Sequence, residues 1–169
     1  RKEYAVTAGY KANRKDKEKP VHVQALRDHM IAKWAAVVTE GEEADDAIAI
    51  AATKYGDKAI MVSLDKDFDQ IEGWHYNFVK RSKYYVTKEE GLNFFYRQIL
   101  MGDRIDNIIG IYGIGPKKSA KLLEDCKTEK DYYDKCVELL GSEERVLENG
   151  RLLWLRRYEG QIWSFTSEE

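Results

Sequence analysis

Residues 59–64 read AIMVSL, and the chain turns at once into DKDFDQI, with aspartates at 65, 67 and 69. A short apolar run without polar alternation suits a buried strand of a parallel sheet, which needs helices on its faces. In open α/β sheets, ligands bind beyond the carboxyl ends of the strands. Asp65 and Asp67 fall at that end, so the run predicts an α/β fold and marks where its chemistry belongs.

The flanking segments supply helices. Val23, Leu26, Met30, Trp34 and Val37 recur at helical spacing, which predicts a helix after Pro20 that ends near TEGEE. ADDAIAIAATKYG reads as an alanine-rich helix closed by Gly56. HYNFVKRSKYYV, with aromatic and β-branched halves around Lys80 to Lys83, reads as a strand and hairpin. Thr87 and Glu90 form a capping box for a helix through about Leu100. Pro116 suits the first turn of another helix. Two more helices are expected, from Tyr132 to Leu140 stopped by Gly141, and from Glu143 towards Tyr158. RLLWLRRYEGQIW, with Arg156 and Arg157, reads as amphipathic helix packing rather than a separate binding surface.

A length of 169 residues suits one domain, and 34% charged with 43% hydrophobic residues is the composition of a soluble globular chain. No apolar run approaches the roughly 20 residues of a membrane span, and no segment resembles a signal peptide. A cytoplasmic protein without a membrane partner is expected. Cys126 and Cys136 lack zinc-ligand spacing and are expected to be free, partly buried thiols. His22, His29 and His75 are read as structural, because no serine has the context of a nucleophile.

Net charge is -2, yet residues 9–20, GYKANRKDKEKP, hold Lys11, Arg14, Lys15, Lys17 and Lys19. Acids dominate from Glu40 to Asp69. Such asymmetry suits a polyanion-binding face beside a metal-binding face, although each run alone also suits a solvated surface.

The acids form three clusters: Glu43, Asp45 and Asp46; Asp65 and Asp67, with Asp69 read as a helix or turn acid; and Asp103 with Asp106. Magnesium and manganese favour oxygen ligands, and a pair of ions can serve phosphodiester cleavage if several carboxylates converge. Glu43 and Asp46, three apart, are expected to share a face while Asp45 projects elsewhere. Asp65 and Asp67 point the same way if the chain is still extended there. Asp103 and Asp106 present together if the glycine turn leads into a helical turn. Taken alone, acids at a helix start also satisfy the helix dipole.

NIIGIYGIGPKKSAKLL is the second signal. Gly110, Gly113 and Gly115 permit tight turns with exposed N–H groups, and Lys117, Lys118 and Lys121 follow, an arrangement suited to phosphate without base readout. Pro116 stands where a Walker A loop needs its lysine, and the glycine order reverses a dinucleotide fingerprint. Nucleoside triphosphate binding is therefore not expected.

In this order, RKEY, YKANR, GEEADD, SLDKDFDQI and LMGDRIDNIIGIYGIGPKKSAKLL resemble the divalent-metal-dependent 5′ nucleases: flap endonucleases, the nuclease domains of bacterial DNA polymerases and phage 5′-to-3′ exonucleases. YKANRK…KP looks most like the phage enzymes, whose setting would be DNA replication in a host cytoplasm. The resemblance implies a PIN-like fold with a parallel sheet, the base of a helical arch and a helix-three-turn-helix segment. It divides the chain into a basic arch region at 1–40, a metal-binding α/β part at 41–105, a helix-hairpin-helix DNA-binding part at 106–125 and C-terminal helices at 126–169.

By the same resemblance, Glu43 and Asp45 match ligands of a first metal, Asp65, Asp67 and one or both of Asp103 and Asp106 match a second, and Asp46 is a nearby carboxylate. The ions would be Mg2+ or Mn2+, with K+ as a further ion at the hairpin carbonyls. Tyr10, Lys11, Arg14 and Lys15 match the arch base, with Lys11 and Arg14 on phosphates near the metals and Tyr10 available for base stacking. The glycines and the three lysines would grip duplex DNA.

The implied function is hydrolysis of DNA near 5′ ends, flaps or branches. The family has an N-terminal strand and further aspartates upstream of the point matching Arg1, which leads to the expectation of exposed apolar surface and of either a polypeptide supplying that strand or self-association. The alternative is a DNA-binding fragment or split-nuclease subunit that is catalytically incomplete alone.

Overall fold

The computed structural model describes residues 1–14 and 18–166, so Lys15 and the side chain of Arg14 lie outside the description. Single 3-10 turns at Lys2–Tyr4 and Ala12–Arg14 precede helices α1 (Val23–Trp34) and α2 (Ala44–Tyr55). Strand β1 (Ile60–Val62), a 3-10 turn (Lys66–Gln70), and strands β2 (Gly73–Asn77) and β3 (Ser82–Val86) follow. Helix α3 (Lys88–Met101) leads to the short strands β4 (Gly102–Asp103) and β5 (Ile108–Ile109), then to α4 (Pro116–Leu122), α5 (Glu129–Leu140) and α6 (Glu143–Leu153). The main sheet has the order β1-β2-β3. β1 runs parallel to β2, with Val62 opposite Tyr76, and β2 runs antiparallel to β3.

Helix α3 is the centre of the larger core. Thr87 and Glu90 close a reciprocal capping box at its start, and Phe95, Tyr96, Ile99 and Leu100 are wholly buried along it. Around them pack Tyr132, Tyr133 and Cys136 from α5, Val146 and Leu152 from α6, and Trp163 beyond α6. Burial of such side chains contributes roughly 1.5–3 kcal/mol each. A smaller cluster joins Ala49 and Ala52 of α2 to Met61, Phe68, Ile71 and Leu155. Cys126 and Cys136 are free thiols, and buried His75 bonds the Ile71 carbonyl through Nε2 at 2.9 Å.

Four expectations need correction. Helix α1 stops at Trp34, well before TEGEE, because Ala35 turns into left-handed backbone (φ 53). None of its residues is buried, and Trp34 is 70% exposed, so its apolar stripe joins neither core and only lines a surface groove, where Leu26, Met30 and Ile31 face Val37, Val38 and Ala44. Strand β1 is not buried on both faces: Met61 faces the core, while Ile60 and Val62 are 49% and 61% exposed. The chain after β1 is not extended through Asp67, because Asp65 caps the 3-10 turn by accepting the Asp67 N–H at 3.0 Å. Helix α6 ends at Leu153 rather than near Tyr158. There the Leu155 N–H bonds Gln70 Oε1 (3.2 Å) and the Arg156 N–H bonds Asp46 Oδ1 (3.0 Å), which removes both donors from a continuing helix.

A backbone contact fixes the acid turn. A Cβ at Gly91 of α3 would stand 2.6 Å from the Gln70 carbonyl oxygen. Alanine in place of a helical glycine ordinarily gains about 1 kcal/mol, but overpacking against fixed atoms costs about 1–3 kcal/mol. Gly91→Ala is therefore expected to destabilise the chain by about 1 kcal/mol in urea unfolding, reversing the usual sign.

Candidate active site

Two carboxylate groups stand at neighbouring element ends, and they are neutralised differently. In the first, Glu43 is the N-cap of α2 but makes no side-chain cap, and Asp45 and Asp46 lie in the helix's first turn. Ligand atoms of all three lie within 4.8 Å of one another, so Asp45 does not project away as the helical spacing suggested. Its Oδ1 instead accepts the Asp46 N–H at 2.8 Å.

Cations crowd this group. The Arg1 guanidinium donates to Glu43 Oε2 and Asp46 Oδ1, each at 2.6 Å, and to the Trp154 carbonyl at 2.8 Å. Lys11 Nζ donates to Glu43 Oε1 and lies 3.6 Å from Asp106 Oδ2. Arg156 Nε stands 4.0 Å from Asp46 Oδ2. Burial works against ionisation of Glu43, but Lys11 and Arg1 outweigh it and hold the carboxyl below its ordinary value. Asp45, with burial as the largest influence, is pushed up. Burial likewise opposes the Lys11 charge, yet the hydrogen bonds with Glu43 and Tyr10 outweigh it and keep the ammonium protonated.

Tyr10 is 6% exposed, with its hydroxyl 3.1 Å from Glu43 Oε2 and 3.2 Å from Asp106 Oδ2. The expected base-stacking role is thus corrected: the ring is core, and burial raises its pKa to about 12, so the phenol serves as a neutral donor. Residues 9–13 are stapled to the β4–β5 loop. The Lys11 N–H bonds the Asp106 carbonyl (2.8 Å), Asn107 Nδ2 bonds the Gly9 carbonyl (2.9 Å) and Asn13 Nδ2 bonds the Arg104 carbonyl (2.9 Å). Lys11 itself has φ 54, a left-handed conformation that costs a non-glycine residue roughly 1–2 kcal/mol.

Upstream, Glu148 of α6 accepts the N–H groups of Val6 (2.7 Å) and Thr7 (2.6 Å) and the Thr7 hydroxyl (2.5 Å). The result is an open cleft of about 550 Å³ lined by Arg1, Tyr10, Lys11, Glu43, Asp46 and Arg156.

The second group comprises Asp65, Asp67 and Asp103. Among the described residues, no cationic side chain lies within ion-pair distance of any of them. Burial, and then the charges of Asp65 and Asp103, push Asp67 up to about 6. A chain of amides supports it: the Leu155 N–H donates to Gln70 Oε1 (3.2 Å), Gln70 Nε2 to Gln98 Oε1 (2.7 Å), and Gln98 Nε2 to Asp67 Oδ1 (2.8 Å).

Asp103 and Asp106 do not present together. Asp103 Oδ1 accepts the N–H groups of Ile105 (2.6 Å) and Asp106 (3.3 Å), a turn that sends Asp106 to Tyr10 and Lys11 while Asp103 stays near Asp67. Asp69 accepts the Tyr84 hydroxyl at 2.7 Å, in line with a turn acid.

In the glycine segment, Gly110 serves packing: a Cβ there would meet the Met101 carbonyl carbon at 2.1 Å, which leaves no room for a phosphate on that side. Gly113 has φ +76, Gly115 caps α4, and Lys117, Lys118 and Lys121 are exposed. Sequence reasoning missed Arg1, Gln98 and Glu148. The first stood inside RKEY with no role given, and the others carried no local signal.

No family model matches the chain. The chain is 32% identical over 144 residues to flap endonuclease Xni of Shewanella sediminis (strain HAW-EB3), spanning 75% of this chain and 54% of that protein. It is 35% identical over 122 residues to DNA polymerase I of Borreliella burgdorferi, spanning 64% of this chain and 13% of the polymerase. The T5 D15 protein co-crystallized with metal ions superposes with a TM-score of 0.64 at 23% identity, covering 85% of this chain and 66% of that one. A complex of the bacteriophage T5 D15 flap endonuclease with DNA and metal ions gives the same score. The chain thus spans little more than half the length of the flap endonuclease relatives it matches. The superposition gives it the PIN-like α/β fold, and with the sequence relatives it makes the chain a member of the 5′-nuclease family.

Proposed function

We propose that this chain carries the metal-binding and DNA-gripping parts of a divalent-metal-dependent 5′-to-3′ exonuclease or flap endonuclease, which hydrolyses DNA phosphodiesters near 5′ ends or branch points. The observation that carries the reading is the gathering of carboxylates: ligand atoms of Glu43, Asp45 and Asp46 lie within 4.8 Å of one another at the start of α2, and past the end of β1 the charges of Asp65 and Asp103 help burial to raise the pKa of Asp67. Repulsion of that kind is relieved by a bound cation. The names of the relatives and of the T5 structures support the same assignment. A DNA substrate suits a cytoplasmic place of action.

The donors in both groups are all carboxylate oxygens, which fits Mg2+ or Mn2+ better than softer metals. Glu43, Asp45 and Asp46 would hold one ion, and Asp65, Asp67 and Asp103 the other. When bound, such ions lower the pKa of the attacking water and stabilise charge on the leaving oxygen. Arg1 holds Glu43 and Asp46 in place, and Tyr10 links Glu43 to Asp106.

Lys11 sits at the cleft with its charge secured, so it acts as a cation towards the scissile phosphate and not as a base. Arg14 and Lys15, which lie outside the described side chains, are proposed for the same phosphates on the family resemblance alone. Lys117, Lys118 and Lys121 hold duplex phosphates beside the Gly113–Gly115 turn, whose carbonyls would take K+. The exposed Ile60 and Val62 on β1, which pairs only with β2 among the described strands, support a further strand there from another polypeptide or a second copy.

Cleavage of a 5′-labelled flap duplex in Mg2+ is the direct test. Asp65→Asn is expected to lower the rate by at least about two orders of magnitude, since a metal supplies several kcal/mol of charge stabilisation, and to leave duplex affinity unchanged. Binding without any cleavage by the unaltered chain would instead favour the reading of an incomplete DNA-binding fragment.

Replacing both Lys117 and Lys118 by alanine is expected to weaken duplex binding and to lower the salt slope, log K against log salt, by about 1.8. An unchanged slope would remove them from the interface.

The raised pKa of Asp67 fixes a pH effect. The folded, metal-free chain binds this proton more tightly than the unfolded chain, so the stabilisation it brings is present at acid pH and lost as pH rises through about 6. In EDTA, Asp67→Asn is expected to raise Tm near neutral pH, the gain fading as pH falls through about 6.

A further inference from the structure

The β2–β3 hairpin has no part in the site so far. β1 and β2 run parallel, with Val62 opposite Tyr76 and the Ser63 N–H bonded to the Tyr76 carbonyl at 3.2 Å. The loop joining β2 to β3, residues 78–81, therefore leaves the sheet at the end where β1 delivers Asp65. On it Phe78 and Val79 are 51% and 68% exposed. Lys80, Arg81 and Lys83 are exposed beside them, and no described carboxylate lies within ion-pair distance of any of the three.

The loop is braced rather than loose. Asn77 Oδ1 accepts the N–H groups of Val79 (3.2 Å) and Lys80 (2.9 Å). Below it, Trp74 packs edge-on against Tyr85 and His75 stacks on Tyr84, both at 5.1 Å, with Lys83 Nζ 4.2 Å above the Trp74 ring.

Resting on the nuclease reading, we propose that this hairpin tip binds an unpaired segment of the nucleic acid as it passes the second carboxylate group, with Lys80, Arg81 and Lys83 on phosphates and the Phe78 ring under a base. Cations that have no described carboxylate partner, set among exposed apolar side chains, match a single strand, which offers phosphates and free base faces together. An anionic membrane surface would also attract such a tip. Asp65, Asp67 and Asp103 at the same end of the sheet would repel a broad anionic plane, whereas a single strand can thread beside them.

The test is binding of a short labelled oligothymidylate to the whole chain in EDTA across a salt series. Replacing Lys80 and Arg81 together by alanine is expected to weaken binding and lower the salt slope by about 1.4. Phe78→Ala is expected to weaken binding roughly tenfold with the slope unchanged. Phe78→Trp is expected to retain binding, with the indole emission quenched by the oligonucleotide.

An unaltered chain that binds neither duplex nor single strand would sink the nuclease reading itself. Normal binding by that chain, with affinity and slope unmoved in folded variants, would overturn this inference alone. Capture on phosphatidylserine vesicles that depends on Lys80 and Arg81, with oligonucleotide binding unmoved, would overturn it in favour of a membrane.

Discussion

Mutual repulsion of carboxylates gathered at the ends of β1 and α2 is the constraint to which the surrounding structure answers. Glu43 and Asp46 are met by Arg1, Lys11 and Arg156, which draw the first residues, α2 and the segment after α6 onto one point. Asp65, Asp67 and Asp103 receive no such partner among the described residues, and the strain appears as a carboxyl that holds its proton to about 6. A fold that only maximised its own stability would balance both groups. The less balanced group, eased only in part by the charge of Lys66, is where the proposed ion would bring its own.

Local signals were read where the physics is local. The Thr87–Glu90 capping box, the Gly56 stop, the strand pair around Lys80 and Pro116 at a helix start all depend on groups a few residues apart, and each stands where the sequence put it. The clustering of acids was legible for the same reason. What a periodic pattern cannot carry is the identity of the surface it meets. The apolar stripe of α1 marked a helix but found no described core, and the stripe after Leu153 gave way to extended chain because Gln70 and Asp46 claimed its N–H groups.

Polar roles were misread where one side chain turns the backbone beneath another. Asp103 caps the turn that carries Asp106 away from it, and that short-range bond decides which carboxylate group each acid joins. Tyr10 lay in a basic run and suggested a surface aromatic, yet its ring fills the core and only its hydroxyl reaches the cleft. Gly110 suggested exposed amides, but its lack of a side chain allows the close crossing of β4 and β5.

The amides of Gln70 and Gln98 also give the fold a polarity of its own. From the Leu155 N–H to the Asp67 oxygen, every bond points the same way, so the dipoles add and each strengthens the next. Reversing one amide would set donor against donor. The orientation of a buried glutamine in α3 is thereby dictated by the backbone of the segment after α6, and the segment's position is conveyed to an acid in a different part of the chain. At its far end the Gln98 donor favours the ionised form of Asp67, a small pull against burial and the neighbouring aspartates, which raise it.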